Sequence, residues 1–318
     1  MFNNKDYVLS VERHKSFSKA AKELYISQPS LSASIKRIEN EIGAPIFDRS
    51  TNPLSLTEIG QKYVECALQI NDIEQNFINY IGDSMNMLTG GIKIGGSSMF
   101  TSFVLPPLIS NFNKLYPKIE FNFMEGHTQS LINMLIAGEL DLVVENVLIS
   151  NKSIVPIILT SEVLMLAVPN SFKVNEKLKD KMLTAEDIKA GRHNDPSAPC
   201  VKLDSFKDEP FILLKSENDT GKRAKKLCKK HDFKPNVIFK LDQQMTAYNI
   251  TCSGVGISFI SDTIIKHLSA SPDVCYYKLD DEDITRNIYF YVKNNRYISK
   301  ACQSFIDLCI KGNNTVQK

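Results

Sequence analysis

The sequence predicts an α/β protein. It opens with a small all-α helix-turn-helix unit, continues through one long helix and ends in a two-lobed α/β body. Three observations carry this. Two short helical patterns flank a tight turn within Ser16–Ser32, and apolar residues recur at alternating spacings of four and three from Ile59 to Tyr80. From Ile92 onward, strand and helix patterns alternate to the end of the chain.

In the first unit Ser18 can cap a helix whose inner face is Ala20, Ala21 and Leu24, small enough for a crossing helix to approach. Tyr25 and Ile26 fall in the turn. Ser27 is a good N-cap, and Pro29 is tolerated in the first turn because its missing N–H has no partner there. The next helix carries Leu31, Ile35, Ile38 and Ile42 as an apolar stripe and stops at Gly43 and Pro45. Beside the stripe lie Gln28, Pro29, Ser32, Ala33 and Lys36, with Arg37 at the far margin. Small and hydrogen-bonding groups first, then cations, suit a helix that enters a DNA groove and sets its charges on phosphates. The same layout fits an ordinary amphipathic helix with a solvated face.

The neighbouring residues favour the first reading. From Tyr7 to Gly60 the segment resembles the winged helix-turn-helix of LysR-type transcriptional regulators. The motifs are Ser-Phe-Ser before paired alanines at Ser16–Ala21, Ser27-Gln28-Pro29, and Ile35-Lys36-Arg37-Ile38-Glu39. Gly43, Phe47, Arg49, Thr57 and Gly60 follow in the family's order. The resemblance implies a DNA-binding domain over residues 1–60, with Ser27, Gln28, Pro29, Ser32, Ala33, Lys36, Arg37 and the wing cation Arg49 at double-stranded DNA.

Bulk composition is neutral on this point. Among 318 residues, 38 Lys and Arg stand against 36 Asp and Glu, so any DNA affinity must come from local placement. No basic start leads into an apolar segment and no apolar run approaches spanning length, so a cytoplasmic protein with no membrane partner is expected. Seven cysteines include no C-x-x-C pair, and free thiols are the expectation. An oxidant-sensing pair of Cys200 with Cys228 finds no support in the spacing. Five dispersed histidines argue against a metal, and no cofactor is expected.

The repeat Ile59, Tyr63, Cys66, Ile70, Ile73, Phe77, Tyr80 runs with no Gly or Pro from Gln61 through Ile81, as a heptad seam. Asp72, Glu74, Gln75, Asn76 and Asn79 fill its outward positions. Helix pairing between subunits is expected, and the resemblance agrees: residues 61–89 correspond to the family's linker helix. Gly82, then Gly90 and Gly91, mark its end and a hinge.

Next come a strand at Ile92–Gly95, a helix with Leu105, Leu108, Ile109, Phe112 and Leu115 on one face, and a strand with Ile119, Phe121 and Phe123. A helix around Leu131–Leu135, closed by Gly138, and a strand at Leu140–Val144 complete a βαβαβ order and hence a parallel sheet. A second set has strands at Val163–Val168, Phe211–Leu214, Val237–Leu241 and Ile257–Ile260, with helices at Lys222–Lys230 and Met245–Cys252. Val274–Leu279 is expected to cross back to the first lobe, finished by Ile288–Val292 and a helix over Ser299–Ile310. Lys189–Pro210, rich in proline, reads as a long loop. Two lobes with two crossovers resemble the periplasmic-binding-protein-like effector domain of the LysR family. The expected extent is 90–318, with lobe I at about 90–161 and 275–318 and lobe II at about 162–274.

Ligands of open α/β sheets sit at the carboxyl ends of strands. That points to Gly96, Ser97, Ser98 and Thr101, to Gly126, His127, Thr128 and Gln129, to Glu145 and Asn146, and from the other lobe to Ser216–Thr220 and Ser258. Hydroxyls and helix N-termini suit a small anion such as a carboxylate, although Ser98 and Thr128 fit helix caps equally well. A rival reading is an enzyme, with Ser97 as nucleophile and His127 as base, but no G-x-S-x-G elbow accompanies them. A solute-binding protein is a second rival. The family resemblance adds that subunits assemble as a homodimer or homotetramer.

Overall fold

A computed structural model describes residues 1–84 and 90–316. Met85–Thr89, where the linker helix is expected to end, lie outside the described residues, as does the side chain of Asn79. The chain divides into two compact units, Met1–Met87 with Arg296–Ser299, and Leu88–Asn295 with Lys300–Lys318.

The first unit packs α1 (Lys5–His14), α2 (Phe17–Glu23) and α3 (Gln28–Ile42) around Val8, Val11, Ala20, Ala21, Leu31, Ile35 and Ile38. Ser16, not Ser18, caps α2, accepting from the Lys19 backbone N–H. A serine one residue before the first helical position can reach that N–H, whereas Ser18 already lies inside the helix. Ser27 caps α3, and Gly43 ends it in the left-handed conformation. Strands β1 (Phe47–Asp48) and β2 (Ser55–Leu56) pair as a short antiparallel wing.

Helix α4 (Glu58–Ser84) runs past Gly82. Its start is locked to the wing. Thr57 Oγ1 donates to the Pro45 and Ile46 carbonyls and accepts from Gly60 N–H, and a Cβ on Gly60 would stand 2.0 Å from the Ile46 carbonyl oxygen. Tyr63 departs from the expected seam. It is buried in the first unit's core, stacked on Phe2. Further along, Ile73, Phe77 and Tyr80 are exposed.

In the second unit, β3 (Gly90–Gly96) lies between β4 (Ile119–Glu125) and β5 (Leu142–Glu145), all parallel. Gly90 and Gly91 are paired within β3, so they form strand and not hinge. Helix α5 (Leu105–Leu115) follows a π-helical turn at Phe100–Val104, consistent with Pro106 and Pro107 having no N–H for a regular first turn. Leu115, expected on the apolar face, is exposed. Helix α6 is Thr128–Ala137.

The lobes are joined by two long strands. β6 (Ile154–Pro169) is far longer than the expected Val163–Val168, because its first half belongs to lobe I and its second half to lobe II. Lobe II continues with α7 (Val174–Lys177), α8 (Ala185–Lys189), β7 (Cys200–Val201), β8 (Pro210–Leu214), α9 (Asp219–Lys230), β9 (Asn236–Leu241), α10 (Gln244–Cys252), β10 (Ile257–Ser261), α11 (Asp262–His267) and β11 (Val274–Leu279). β11 does not cross back. It pairs with the lobe II half of β6 and with β7. The return is β12 (Thr285–Lys293), antiparallel to β6 and β5, and α12 (Lys300–Val316) packs Phe305 against Phe112, Phe121 and Phe290 of lobe I. The expected loop Lys189–Pro210 instead holds β7 and two 3₁₀ turns, pinned by buried His193, Leu203 and Phe206.

Candidate functional site

Two surfaces bear on function, one in each unit. On α3, Ser27, Gln28, Pro29, Ala33, Lys36 and Arg37 are exposed and Ser32 is half-buried, while Leu31, Ile35 and Ile38 face inward. Gln28, Ser32 and Lys36 recur at i, i+4, i+8, so they share one strip of the helix. Arg49 on the wing is tethered as well as exposed. Its guanidinium donates to Glu39 at 3.4 Å and lies over the Phe17 ring. Glu39 also accepts from the Ile46 and Phe47 backbone N–H groups, a role in the Ile35–Glu39 motif that the sequence pattern does not reveal.

In the second unit the carboxyl ends of β3, β4 and β5 lie side by side, since Gly96 pairs with Glu125 and Val144. The hydroxyls there are engaged with carboxylates rather than with helix caps. Ser98 Oγ donates to Glu125 at 2.5 Å, Thr101 Oγ1 to the same carboxylate at 3.2 Å, and Thr128 Oγ1 to Glu145 at 3.1 Å. Ser97 is half-buried and its carbonyl opens the helix that follows, accepting from Phe100 and Thr101 N–H. Among the described residues no hydrogen bond joins it to exposed His127, so the nucleophile and base of the rival reading are not brought together.

Facing these residues is a buried polar network centred on Arg286. Its Nε donates to Glu162 Oε1 at 2.5 Å, its Nη1 to Asp219 at 2.6 Å and its Nη2 to Thr220 Oγ1 at 3.3 Å. Asn146 Nδ2 donates to the same Glu162 oxygen at 2.9 Å, tying the end of β5 to β6. Gln244 Nε2 donates to Thr220 Oγ1 at 3.2 Å, Arg223 to Asp219 at 2.9 Å, and Ser261 to the second Glu162 oxygen. Thr220 and Asn146 therefore belong to one network. Ser258 does not: it sits near the start of β10, fully buried, accepting from Thr251, and the serine at that strand's carboxyl end is Ser261.

Burial pushes the Glu145 carboxyl up to about 7, against the opposing pull of the Thr128 bond, the Asn146 backbone N–H and Arg286, with Asp219 adding to the rise. For Arg286, burial favours the neutral form, but Glu162 and Asp219 outweigh it and hold the guanidinium charged. Behind the network Asp262 is buried among the Val163 N–H, His193 and Lys266. Burial would raise its carboxyl, yet those partners hold it below the ordinary range. Sequence reasoning placed Glu145 and the Asp219 segment at the cleft but missed Glu162, Gln244, Ser261 and Arg286. The available signal was a charge beside an apolar run, as at Glu162 before Val163–Val168, because such a charge must be paired if it is buried.

Metal and thiol chemistry find little to build on. Among the described residues no cluster of three His, Cys, Asp or Glu could hold a metal ion. All seven cysteines are free thiols, and burial pushes Cys228 up to about 11, away from a reactive thiolate. No described helix is long and apolar enough to cross a membrane.

Comparison with known proteins finds a family match for each of the two domains. The family model described as bacterial regulatory helix-turn-helix protein, lysR family, matches residues 2–61, and that described as LysR substrate binding domain matches 86–313. The HTH-type transcriptional regulator YcgK of Bacillus subtilis is 30% identical over 303 residues, covering 95% of this chain and 92% of the relative. A full-length OxyR variant from Pseudomonas aeruginosa shares the fold at a TM-score of 0.70 and 18% identity, covering 97% of this chain and 94% of the other. CbnR in complex with its target DNA does so at 0.59 and 15% identity, covering 98% and 99%. The effector-binding domain of QuiR, solved with shikimate, matches at 0.56 and 19% identity over 71% of this chain and 98% of the other. The chain belongs to the LysR family of transcriptional regulators, with an N-terminal helix-turn-helix and a substrate-binding-type effector domain.

Proposed function

We propose that Gln28, Pro29 and Ser32 read base edges, that Ser27 and Ala33 lie along the same groove, and that Lys36, Arg37 and Arg49 meet phosphates. A small-molecule effector binds between the two lobes, near Ser97, Ser98, Thr101, Thr128, Asn146 and Thr220, and leaves chemically unchanged. Its unequal affinity for two arrangements of the assembly shifts how paired reading helices sit on DNA. The protein works in the cytoplasm as a homodimer or homotetramer, with residues 1–60 for DNA, 61–89 for pairing and the remainder for the effector.

The observation that carries this reading is α3, capped at Ser27, with an exposed polar strip over a buried apolar stripe. The test is binding of the protein to its own upstream DNA at several salt concentrations. Gln28→Ala should cost about 1–3 kcal/mol and relax base preference at one position per half-site. Lys36→Ala should weaken binding to all sequences and flatten the salt dependence by about one unit. An unchanged base preference in Gln28→Ala would remove Gln28 from base reading.

A further inference from the structure

We propose, resting on the reading of the interlobe cleft as the effector site, that the effector is a small organic cation, an amine or amidine, whose N–H groups bind the Glu145 carboxylate. The carboxylate ligand expected from helix N-termini alone does not match the charges assembled there.

Two carboxylates, Glu162 and Asp219, belong to the buried network, and a third, Glu145, lies close enough to feel Arg286 and Asp219. The two guanidiniums present are already committed, Arg286 to Glu162 and Asp219, Arg223 to Asp219. Glu145 is 2% exposed and, among the described residues, bonds no cation. Its partners are the Thr128 hydroxyl and the Asn146 backbone N–H. A buried carboxylate without a counterion is costly, and an incoming cation supplies one. A second group asks for the same chemistry. Gln244 is 8% exposed, its amide nitrogen held by Thr220 on the same network, and its Oε1 acceptor has no donor. At the rim, Ser98 turns its hydroxyl hydrogen to Glu125, and the Thr101 hydroxyl is shared among Glu125 and the Ser97 and Ser98 carbonyls. An anion entering here meets the Glu145 and Glu125 carboxylates, with Arg286 already neutralised by Glu162 and Asp219; a cation meets what the site lacks.

The groups facing Glu145 are Arg286 and Tyr289 of β12, Tyr291 further along it, and Asp219 of α9. Its carboxyl titrates near neutrality, so cation binding should strengthen as pH rises through about 7. An anionic ligand favours the protonated acid and shows the opposite slope.

The experiment is a thermal-shift titration of the full chain with putrescine and agmatine, and separately with succinate and benzoate, between about pH 6 and about pH 8. The amines should raise the melting temperature, with affinity climbing roughly tenfold across that range as Glu145 ionises. Glu145→Gln should weaken them at least tenfold and flatten the pH dependence. The pH series uses the unaltered protein, so it decides the matter even if that variant folds poorly. Stabilisation by succinate or benzoate but not by the amines overturns the cationic assignment and leaves the cleft as the effector site. No shift with either amine also overturns it. An amine shift that survives unchanged in both Glu145→Gln and Gln244→Met places binding outside the network and overturns the cleft reading as well.

Discussion

Arg286 and Glu162 face each other across β12 and β6, the two strands that carry the chain between lobes, with Nε donating to Oε1 at 2.5 Å and both side chains at most 2% exposed. The pair lies where the strands change lobes. Glu162 still pairs with β12, while Leu164 already pairs with Ser261 of β10. The same guanidinium reaches Asp219 and Thr220 at the start of α9, so one side chain fixes the lobe II helix to both crossover strands.

Removing one partner leaves the other charge buried and unpaired. Arg286→Met should therefore destabilise the protein by about 3–5 kcal/mol. The paired replacement Arg286→Met with Glu162→Met should recover much of that loss. Denaturant midpoints with unchanged slope measure both. Equal destabilisation in the single and double variants would show that packing, not charge, dominates at this position.

The elements legible in the sequence are those fixed by local pattern. The stripe Leu31, Ile35, Ile38 with Ser27 before it and Gly43 after it identifies α3 without any tertiary knowledge, and the structure keeps all of these roles. The Arg286 network is different. Its members come from five separate elements and the turn after β5, and Glu162 and Arg286 lie 124 positions apart, so only the register of β6 against β12 brings them together. The length of β6 was hidden for a related reason. Its lobe I half, Ile154–Glu162, mixes apolar and polar residues because neither face there is uniformly covered, whereas Val163–Val168 is buried on both faces and reads as a strand. Ser258 and Ser261 look alike in the sequence because both are polar residues in one apolar run, and only the strand's direction and extent separate its buried start from its carboxyl end.

Gly60 shows a constraint at the other end of the molecule. A methyl group there would stand 2.0 Å from the Ile46 carbonyl oxygen, which also accepts from Thr57 Oγ1 and from Thr57 N–H. The obstacle is backbone, so it cannot rotate away. Gly60→Ala should displace the start of α4 from the wing and lower the stability of the first unit by about 1–3 kcal/mol despite alanine's better helix propensity. Loss of DNA binding should accompany it. A variant as stable as the parent would mean that α4 shifts without cost.

Helix α4 offers Ile73 at 67% and Phe77 at 64% exposure, four residues apart on one strip. Large apolar side chains at that spacing want a covering surface, and a second copy of the helix supplies one. Ile73→Glu with Phe77→Glu should reduce the assembly to a lower-mass species in sedimentation and weaken operator binding, because two half-sites are no longer held together. The fold of each unit should be unaffected, since neither residue belongs to a buried core. Unchanged mass with unchanged affinity would exclude this strip as the subunit contact.

Glu145 gives a stability signature that needs no ligand. Burial raises its carboxyl from the ordinary 4.5 to about 7, so between those values the folded protein holds a proton that the unfolded chain has released. Stability from this group therefore falls as pH rises from about 4.5 through about 7 and stays reduced above it. Glu145→Gln keeps the shape and a hydrogen-bond acceptor for Thr128 but cannot ionise. It should be more stable than the parent above pH 7 by on the order of 3 kcal/mol, the excess shrinking to nothing toward pH 4.5. Urea midpoints of parent and variant across that range check the sign as well as the size. A variant uniformly less stable at every pH would mean that the carboxylate is better accommodated in the folded protein than its burial and its two neutral hydrogen-bond donors indicate.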